Sequence, residues 1–469
     1  RSLLCAMPAE ELAKGFSDDV GRNTKELYSM AGLIVIAEMR VWTPQQAAEA
    51  YTFDQSIQYA LNIGHYGVEV SSRTVERYQR LFREQELAQG VFERVTRTLV
   101  EELQIEVDKQ RLDSTHLFSD MAMLSRTQLM TVCIRRFLVQ VKRHQNGEYY
   151  ALDPEVRERC MASDKRLFSQ LPPKGDARAQ LRQRVAEDLL MLIDRFVGHA
   201  QIAGMSSYKA LVRVFGEQCK VVGGKVTLRK KTGGRTMQNP SDPDATYDGH
   251  KGKGYQVQLS ETCHPDNPVQ LITCAIPQTA ADEDGDALPL VVEKLEQTDL
   301  KPEEILADTL YGSDDNEQLC EGKDIDLVAP VRGPAPKNAR FQMTDKQKRL
   351  AQRRAVEKTE EWAERYRLRA GIEGTNSGLK KRMELGKLRV RGKKSVFNVV
   401  LLKATGWNIF RAAAAIARKA KREIQAGIIA STGPFLPLFV AFGSVGVDRG
   451  PRNRFRSGWS AGSPRLFAA

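Results

Sequence analysis

Apolar residues recur at helical spacing through the first hundred positions of the chain. Thr43-Pro44 reads as an N-cap and first-turn pair opening QQAAEAYTFDQSIQYALNI, and Arg73 to Leu103 carries a second long amphipathic pattern. The period breaks at Leu112-Asp113-Ser114-Thr115-His116-Leu117-Phe118, where Asp113 alternates with Thr115 in a short strand. Helical spacing returns from 121 to about 248, with Leu181, Val185, Leu189, Ile193 and Phe196 as a core stripe. From Gly254 the period becomes two. Tyr255, Val257 and Leu259 alternate with Gln256 and Gln258, and Val269, Leu271, Thr273 and Ala275 form a second, adjacent strand. A helix over Ala287 to Gln297 follows, then a short buried strand Ile305-Leu306-Ala307 ending at Asp308, a helix from Asn316 to Cys320 and a last strand from Ile325 to Ala329. Thr344 starts a long charged helix, and Val399 to Ala420 closes with an apolar one whose Trp407 reads as core.

Strands followed by alternating helix and strand indicate an α/β domain with a mixed sheet. The pattern divides the chain into a helical N-terminal domain at 1–108, an α/β domain at 109–423 interrupted by a helical insertion at 121–248, and a poorly structured or atypical tail at 424–469. The N-terminal helices read either as a scaffold or as a module recognising DNA ends.

Composition adds a partner. Hydrophobic residues make up 41% and charged residues 28% of the 469, which is globular rather than disordered. The formal net charge of +12 points to a polyanion. The seven cysteines are scattered without a C-x-x-C pair, which suggests neither a zinc site nor a disulfide framework and fits a reducing cytosol. The apolar stretch Ile424 to Phe442 is broken by glycines and prolines and makes a poor membrane span. The chain begins at Arg1 rather than Met, so a truncated start is expected.

Candidate chemistry centres on Glu373. Tyr366, Arg369 and Lys380 lie at offsets of −7, −4 and +7 from it, within roughly a 60° arc of a helix. Such a face is ordinarily a solvated one with a few ion pairs. It also suits metal and phosphate, because a guanidinium forks onto phosphate oxygens and a carboxylate ligates a hard cation. Gly371, Gly374 and Gly378 would each cost about 1 kcal/mol in a helix, which makes sense where the backbone approaches something closely. Beyond the stripe, Lys380, Lys381, Arg382, Lys387, Arg389, Arg391, Lys393 and Lys394 crowd together against one acid, Glu384, the strongest nucleic-acid signal in the chain. The Gly-bracketed run Gly223 to Arg235, with Arg229 and Lys230, reads as a second phosphate contact or a solvated loop. Asp308 closes a strand and faces a crevice or caps the next helix, a role that Asp314 and Asp315 fit better. The cluster DEDGD at Asp282 to Asp286 lacks the glycine and glutamate of a calcium loop and reads as a loop plus a helix start.

Asp113-Ser114-Thr115, Ala307-Asp308 followed by Tyr311-Gly312-Ser313, and the Tyr366/Arg369/Glu373/Lys380 spacing together resemble the bacterial insertion-sequence DDE transposases. The signature of that group is Tyr, two residues, Arg, three residues, Glu, six residues, Lys, and the resemblance covers roughly residues 15 to 420. It implies a ribonuclease H-like core with a mixed five-stranded sheet, a helical insertion between the first and second strands, and DNA transposition by cleavage and strand transfer. It implies that Asp113, Asp308 and Glu373 are catalytic and hold two Mg²⁺ or Mn²⁺ ions, their carboxyl groups meeting within about 4–8 Å. Tyr366, Arg369 and Lys380 would contact transposon-end DNA, joined by Lys381, Arg382, Arg389, Arg391, Arg229 and Lys230. The implied partners are double-stranded DNA with terminal inverted repeats, target DNA and a second copy in a synaptic dimer, in bacterial cytoplasm and without a membrane. A ribonuclease H-like nuclease without strand transfer and an inactive DNA-binding remnant are the rival readings.

Overall fold

Three helices of this chain start with the same local device. Thr43, Ser125 and Thr344 each accept a bond from the backbone N–H three residues on, and Gln46, Gln128 and Gln347 each return one to the cap N–H. The computed structural model describes residues 2–16, 26–64, 69–161, 175–333 and 344–425. The tail read at 424–469 therefore lies outside the described residues, apart from its first two positions.

The sheet is built on β1 (Lys109–Leu117), which pairs antiparallel with β5 (Gly252–Thr262) and parallel with β7 (Glu304–Leu306). β7 pairs parallel with β8 (Asp326–Val328), and β6 (Ile272–Thr279) runs antiparallel along the far edge of β5. A sixth strand, β4 (Thr246–Asp248), pairs with the first three residues of β5. The sequence reading of five strands missed it because three residues carry no period. The second sheet strand also starts later than read, at Ile272.

The region between β1 and β4 is mainly helical and has its own core. Helices α3 (Arg126–His144), α4 (Asp176–Phe196) and α5 (Ser206–Gln218) bury Phe137, Leu189, Phe196 and Leu211 together. It also contains a hairpin of β2 (Cys219–Val222) and β3 (Lys225–Leu228) where a basic loop was expected. Gly223 and Gly224 turn it with φ of 57° and 75°, a pair of positive values that suits glycine.

Helices α6 (Leu288–Gln297) and α7 (Asp314–Glu321) cover one face of the main sheet, burying Leu112, Ile305, Ala307 and Tyr311 beneath Val291 and Cys320. Ser313, rather than Asp314 or Asp315, caps α7, and Asp314 instead accepts from Arg349 at 2.7 and 3.0 Å. On the opposite face, Cys263, Leu306 and Val328 meet Trp362, Tyr366 and Leu368. The long charged helix expected from Thr344 is broken. It runs as α8 (Asp345–Val356), α9 (Glu360–Arg367), a 3₁₀ turn Leu368–Ala370 and α10 (Gly371–Arg382). Thr359 starts α9 as a fresh N-cap.

Residues 1–411 form one compact unit, and the described part of a second, 412–425, is the end of α11 (Lys393–Gln425). Within the first unit, three consecutive residues of α11 lock the fold. Gly406 leaves room for Met39 of helix α1 (Leu27–Arg40), where a Cβ would sit 2.8 Å from the Met39 Cβ. Trp407 packs against Gly378 of α10, where a Cβ would come within 2.2 Å of the indole Cη2. Asn408 bonds both the N–H and the C=O of Ile272 at 2.8 and 2.7 Å. Three residues earlier, buried Lys403 donates to the Met383 carbonyl at 2.7 Å and pairs with Glu38 of α1 at 3.6 Å.

Candidate active site at the end of the central strands

Asp113 leaves the sheet on the same face of β1 as Arg111, two residues before it. Arg111 sets the frame. Its Nε and Nη2 both donate to Glu261 on β5, at 2.8 and 2.6 Å, and its Nη1 donates to the Leu368 carbonyl. Thr375 of α10 donates to the other Glu261 oxygen at 2.5 Å. This buried knot pins α10 to the sheet so tightly that a Cβ on Gly371 would lie 1.8 Å from the Arg111 guanidinium. The close approach anticipated for the glycines is thus made by Arg111 at Gly371 and by Trp407 at Gly378, whereas Gly374 faces open space.

With α10 held there, Asp113 meets two groups from the same helical segment. Arg369 comes within 3.4 Å of its Oδ1, and Asn376 donates from Nδ2 to its Oδ2 at 3.1 Å. Arg369 also reaches Glu373 at 3.4 Å. Burial pushes the Asp113 carboxyl up to about 6; Arg369 pulls it down, and the charges of Asp308 and Asp284 push it up again. Asp308 follows the end of β7, the parallel neighbour of β1, and accepts the N–H of Leu310 at 2.8 Å in a turn of its own rather than capping α7. Tyr366 is half-buried and stacks on Trp362 with ring centroids 4.6 Å apart. Burial raises its phenol, Arg369 lowers it, and the charges of Asp308 and Asp113 raise it again. Lys380 has its ammonium lowered by burial and raised by Asp113.

Glu373 stands apart. Its side chain is 68% exposed, against 15% for Asp113, and its described ion pair is with Arg369. Among the described residues no three Asp, Glu, His or Cys side chains are drawn together closely enough to hold a metal ion. The donor set still suits a hard cation in kind. Asp113 and Asp308 offer carboxylate oxygens in mutual repulsion, and the buried Oδ1 of Asn376 beside Asp113 has no hydrogen-bond partner among the described residues.

A second polar group lies behind Asp113 and was read only as a loop from the sequence. Asp284 is 5% exposed and accepts Lys251 Nζ at 2.6 Å and Gln258 Nε2 at 3.1 Å. Lys251 also donates to Ser114, next to Asp113, at 3.0 Å, and Tyr311 donates its hydroxyl to Gln258. The signal available was Asp284 within the acidic run, but nothing in the run separates it from four neighbouring positions.

The basic residues divide. The segment 386–390 runs beside the end of β1, with Phe118 bonded to Gly386 and Leu388 and Asp120 bonded to Val390. Arg389 within it and Arg391 just after it are both exposed, paired with Glu384 and Asp120 respectively at 3.2 Å. Lys380 and Lys381 are exposed at the end of α10, and Arg382 sits 5.0 Å over the Phe410 ring. In the hairpin region Lys230 is exposed, but Arg229 turns its Nε onto the Gly216 and Cys219 carbonyls at 3.0 and 3.2 Å, closing the end of α5. Arg229, itself exposed, thereby anchors a helix terminus within the run read as a phosphate contact or a solvated loop.

Residues 320–413 match the family model described as Transposase DDE domain. The matched segment contains Tyr366, Arg369, Glu373, Asn376 and Lys380, together with the first half of α11, and does not reach Asp113 or Asp308. No curated protein and no solved structure matches the chain. The match supports a DDE transposase, and with it a nucleotidyl-transfer enzyme of a kind that uses a divalent metal.

Proposed function

We propose that this chain is a bacterial DNA transposase that cleaves phosphodiester bonds at the ends of its element and transfers the freed 3′-hydroxyl strand to target DNA. The single observation that supports the reading is the bridging of Asp113 and Glu373 by Arg369, which lies 3.4 Å from each, with the DDE match covering the helix of Glu373. A ribonuclease H-like core is supported by the mixed sheet centred on its first long strand and by the helical region opening between that strand and the next.

Asp113 and Asp308 would hold Mg²⁺ or Mn²⁺, two ions in all, with Glu373 joining them once it parts from Arg369. Such ions neutralise the phosphodiester and stabilise attacking and leaving oxygens. Arg369, released from the carboxylates, has a fork suited to a DNA phosphate. Tyr366 and Lys380 flank the same place, and Lys381, Arg382, Lys230, Arg389 and Arg391 would extend a cationic track along the duplex. The N-terminal helices 1–108 would recognise the element end, and two copies would synapse two ends, in the bacterial cytoplasm on the nucleoid.

A supplied 3′-hydroxyl end separates this reading from a nuclease. Pre-nicked element-end DNA incubated with a supercoiled target and Mn²⁺ is expected to give joined products. Nicking without any joining would leave the nuclease reading in its place.

A further inference from the structure

Glu373 has a neighbour one turn on that neither the sequence motif nor the family match singles out. Asn376 lies three residues after Glu373 and seven after Arg369, so all three share a side of the helical segment. Its amide nitrogen donates to Asp113 Oδ2 at 3.1 Å, while Arg369 faces Oδ1 at 3.4 Å. The two oxygens of Asp113 are therefore each steered by a group from the segment that bears Glu373. The other end of the amide is unusual. Asn376 Oδ1 is buried and has no hydrogen-bond partner among the described residues, although an unpaired buried acceptor is costly. Helix packing alone does not call for an amide there, because the adjoining α10 residues that do pack, Thr375 and Leu379, are fully occupied or apolar.

We infer that Asn376 is a positioning residue of the cation site: its N–H fixes the plane of the Asp113 carboxylate, and its free amide oxygen receives a water of the cation's hydration shell. The inference rests on the reading of Asp113 as a cation ligand. It follows from the chemistry of Mg²⁺, which keeps several waters and needs neutral oxygens around them as well as carboxylates. An amide serves this better than a further carboxylate would, since it donates to Asp113 and accepts from water with no added charge. Partners of this type, one bond removed from a metal, change affinity by about 10–100-fold when lost.

The test is Mn²⁺ affinity of the full chain without DNA, read from the electron paramagnetic resonance signal of free Mn²⁺, with stability followed by chemical unfolding. Asn376→Leu removes donor and acceptor at nearly constant volume and is expected to weaken Mn²⁺ binding about 10–100-fold. Asn376→Ala repeats the measurement should the leucine variant not fold. Asn376→Asp keeps the side-chain shape and an acceptor but loses the donor to Asp113, and is expected to recover Mn²⁺ binding only in part above pH 7. Asp113→Asn serves as the reference. If it weakens Mn²⁺ binding while Asn376→Leu and Asn376→Ala stay within twofold of the parent, the role of Asn376 is overturned and the cation reading stands. If Asp113→Asn itself leaves binding unchanged, the cation reading fails and this inference falls with it.

Discussion

Two arginine–carboxylate clusters sit two residues apart along β1 and could hardly be less alike. At Arg111, both donors of one guanidinium edge reach Glu261 at 2.6 and 2.8 Å, the remaining partners are a backbone carbonyl and a threonine hydroxyl, and the pair is sealed at 11% and 0% exposure. At Asp113, Arg369 stands off at 3.4 Å from two carboxylates, its Nε has no partner among the described residues, and one of those carboxylates is exposed. A closed cluster in which both Glu261 oxygens accept holds α10 in register. An open one, with a carboxyl pushed up to about 6 and polar atoms left over, is organised for something that arrives later. The difference shows how one strand can supply a structural ion pair and a candidate catalytic one at adjacent same-face positions.

Breaking the closed cluster is expected to have the largest effect on folding. Arg111→Met leaves Glu261 buried and unpaired, a loss of about 3–5 kcal/mol in urea unfolding, and Arg111→Met combined with Glu261→Gln should regain much of it. The open cluster should respond with the opposite sign. The folded value of Asp113 lies above its ordinary 3.8, so folding favours the protonated form. Its contribution to stability is complete below about pH 4 and is lost as pH rises through about 6. Asp113→Asn is therefore expected to stabilise the cation-free protein at pH 7 by up to about 3 kcal/mol and to show no gain at pH 4. Equal unfolding midpoints at pH 7 would remove the distinction between the clusters.

Glycine substitutions sharpen the same contrast at smaller scale. Gly371→Ala drives a methyl into the Arg111 guanidinium and should cost about 1–3 kcal/mol. Gly374→Ala, beside exposed Glu373 with open space around it, should gain up to about 1 kcal/mol. Smallest of all, Arg391→Ala removes an exposed charge paired at 3.2 Å and should leave stability unchanged. It is expected to lower the slope of log affinity for random duplex DNA against log salt by about 1.

The sequence announced elements better than contacts. The two-residue period at Tyr255–Leu259, the capping signals at Thr43 and Thr344 and the strand-end position of Asp308 are local, and each has its counterpart in the fold. The Glu373 stripe was legible because its charges repeat at helical spacing, although the 3₁₀ turn at Leu368–Ala370 was not, since it changes no residue pattern. Arg111–Glu261 and Lys251–Asp284 were invisible: one pair is 150 residues apart, the other 33, and neither has a period to betray it. The bonds of Arg229 to the end of α5 were equally invisible, because a basic residue in a Gly-rich run looks the same whether it faces solvent or closes a helix. Asn376 escaped because the motif around it is defined by charges.

The account turns on whether this open cluster performs cation-dependent chemistry on DNA. Single-turnover cleavage of a duplex carrying the element's own terminal repeat, with and without Mg²⁺, by the parent chain and by Asp308→Asn, tests that most directly. Cleavage that requires the cation and falls at least about 10³-fold in the variant is the expected result. Cleavage that is indifferent to Mg²⁺, or that Asp308→Asn performs as fast as the parent, would contradict it.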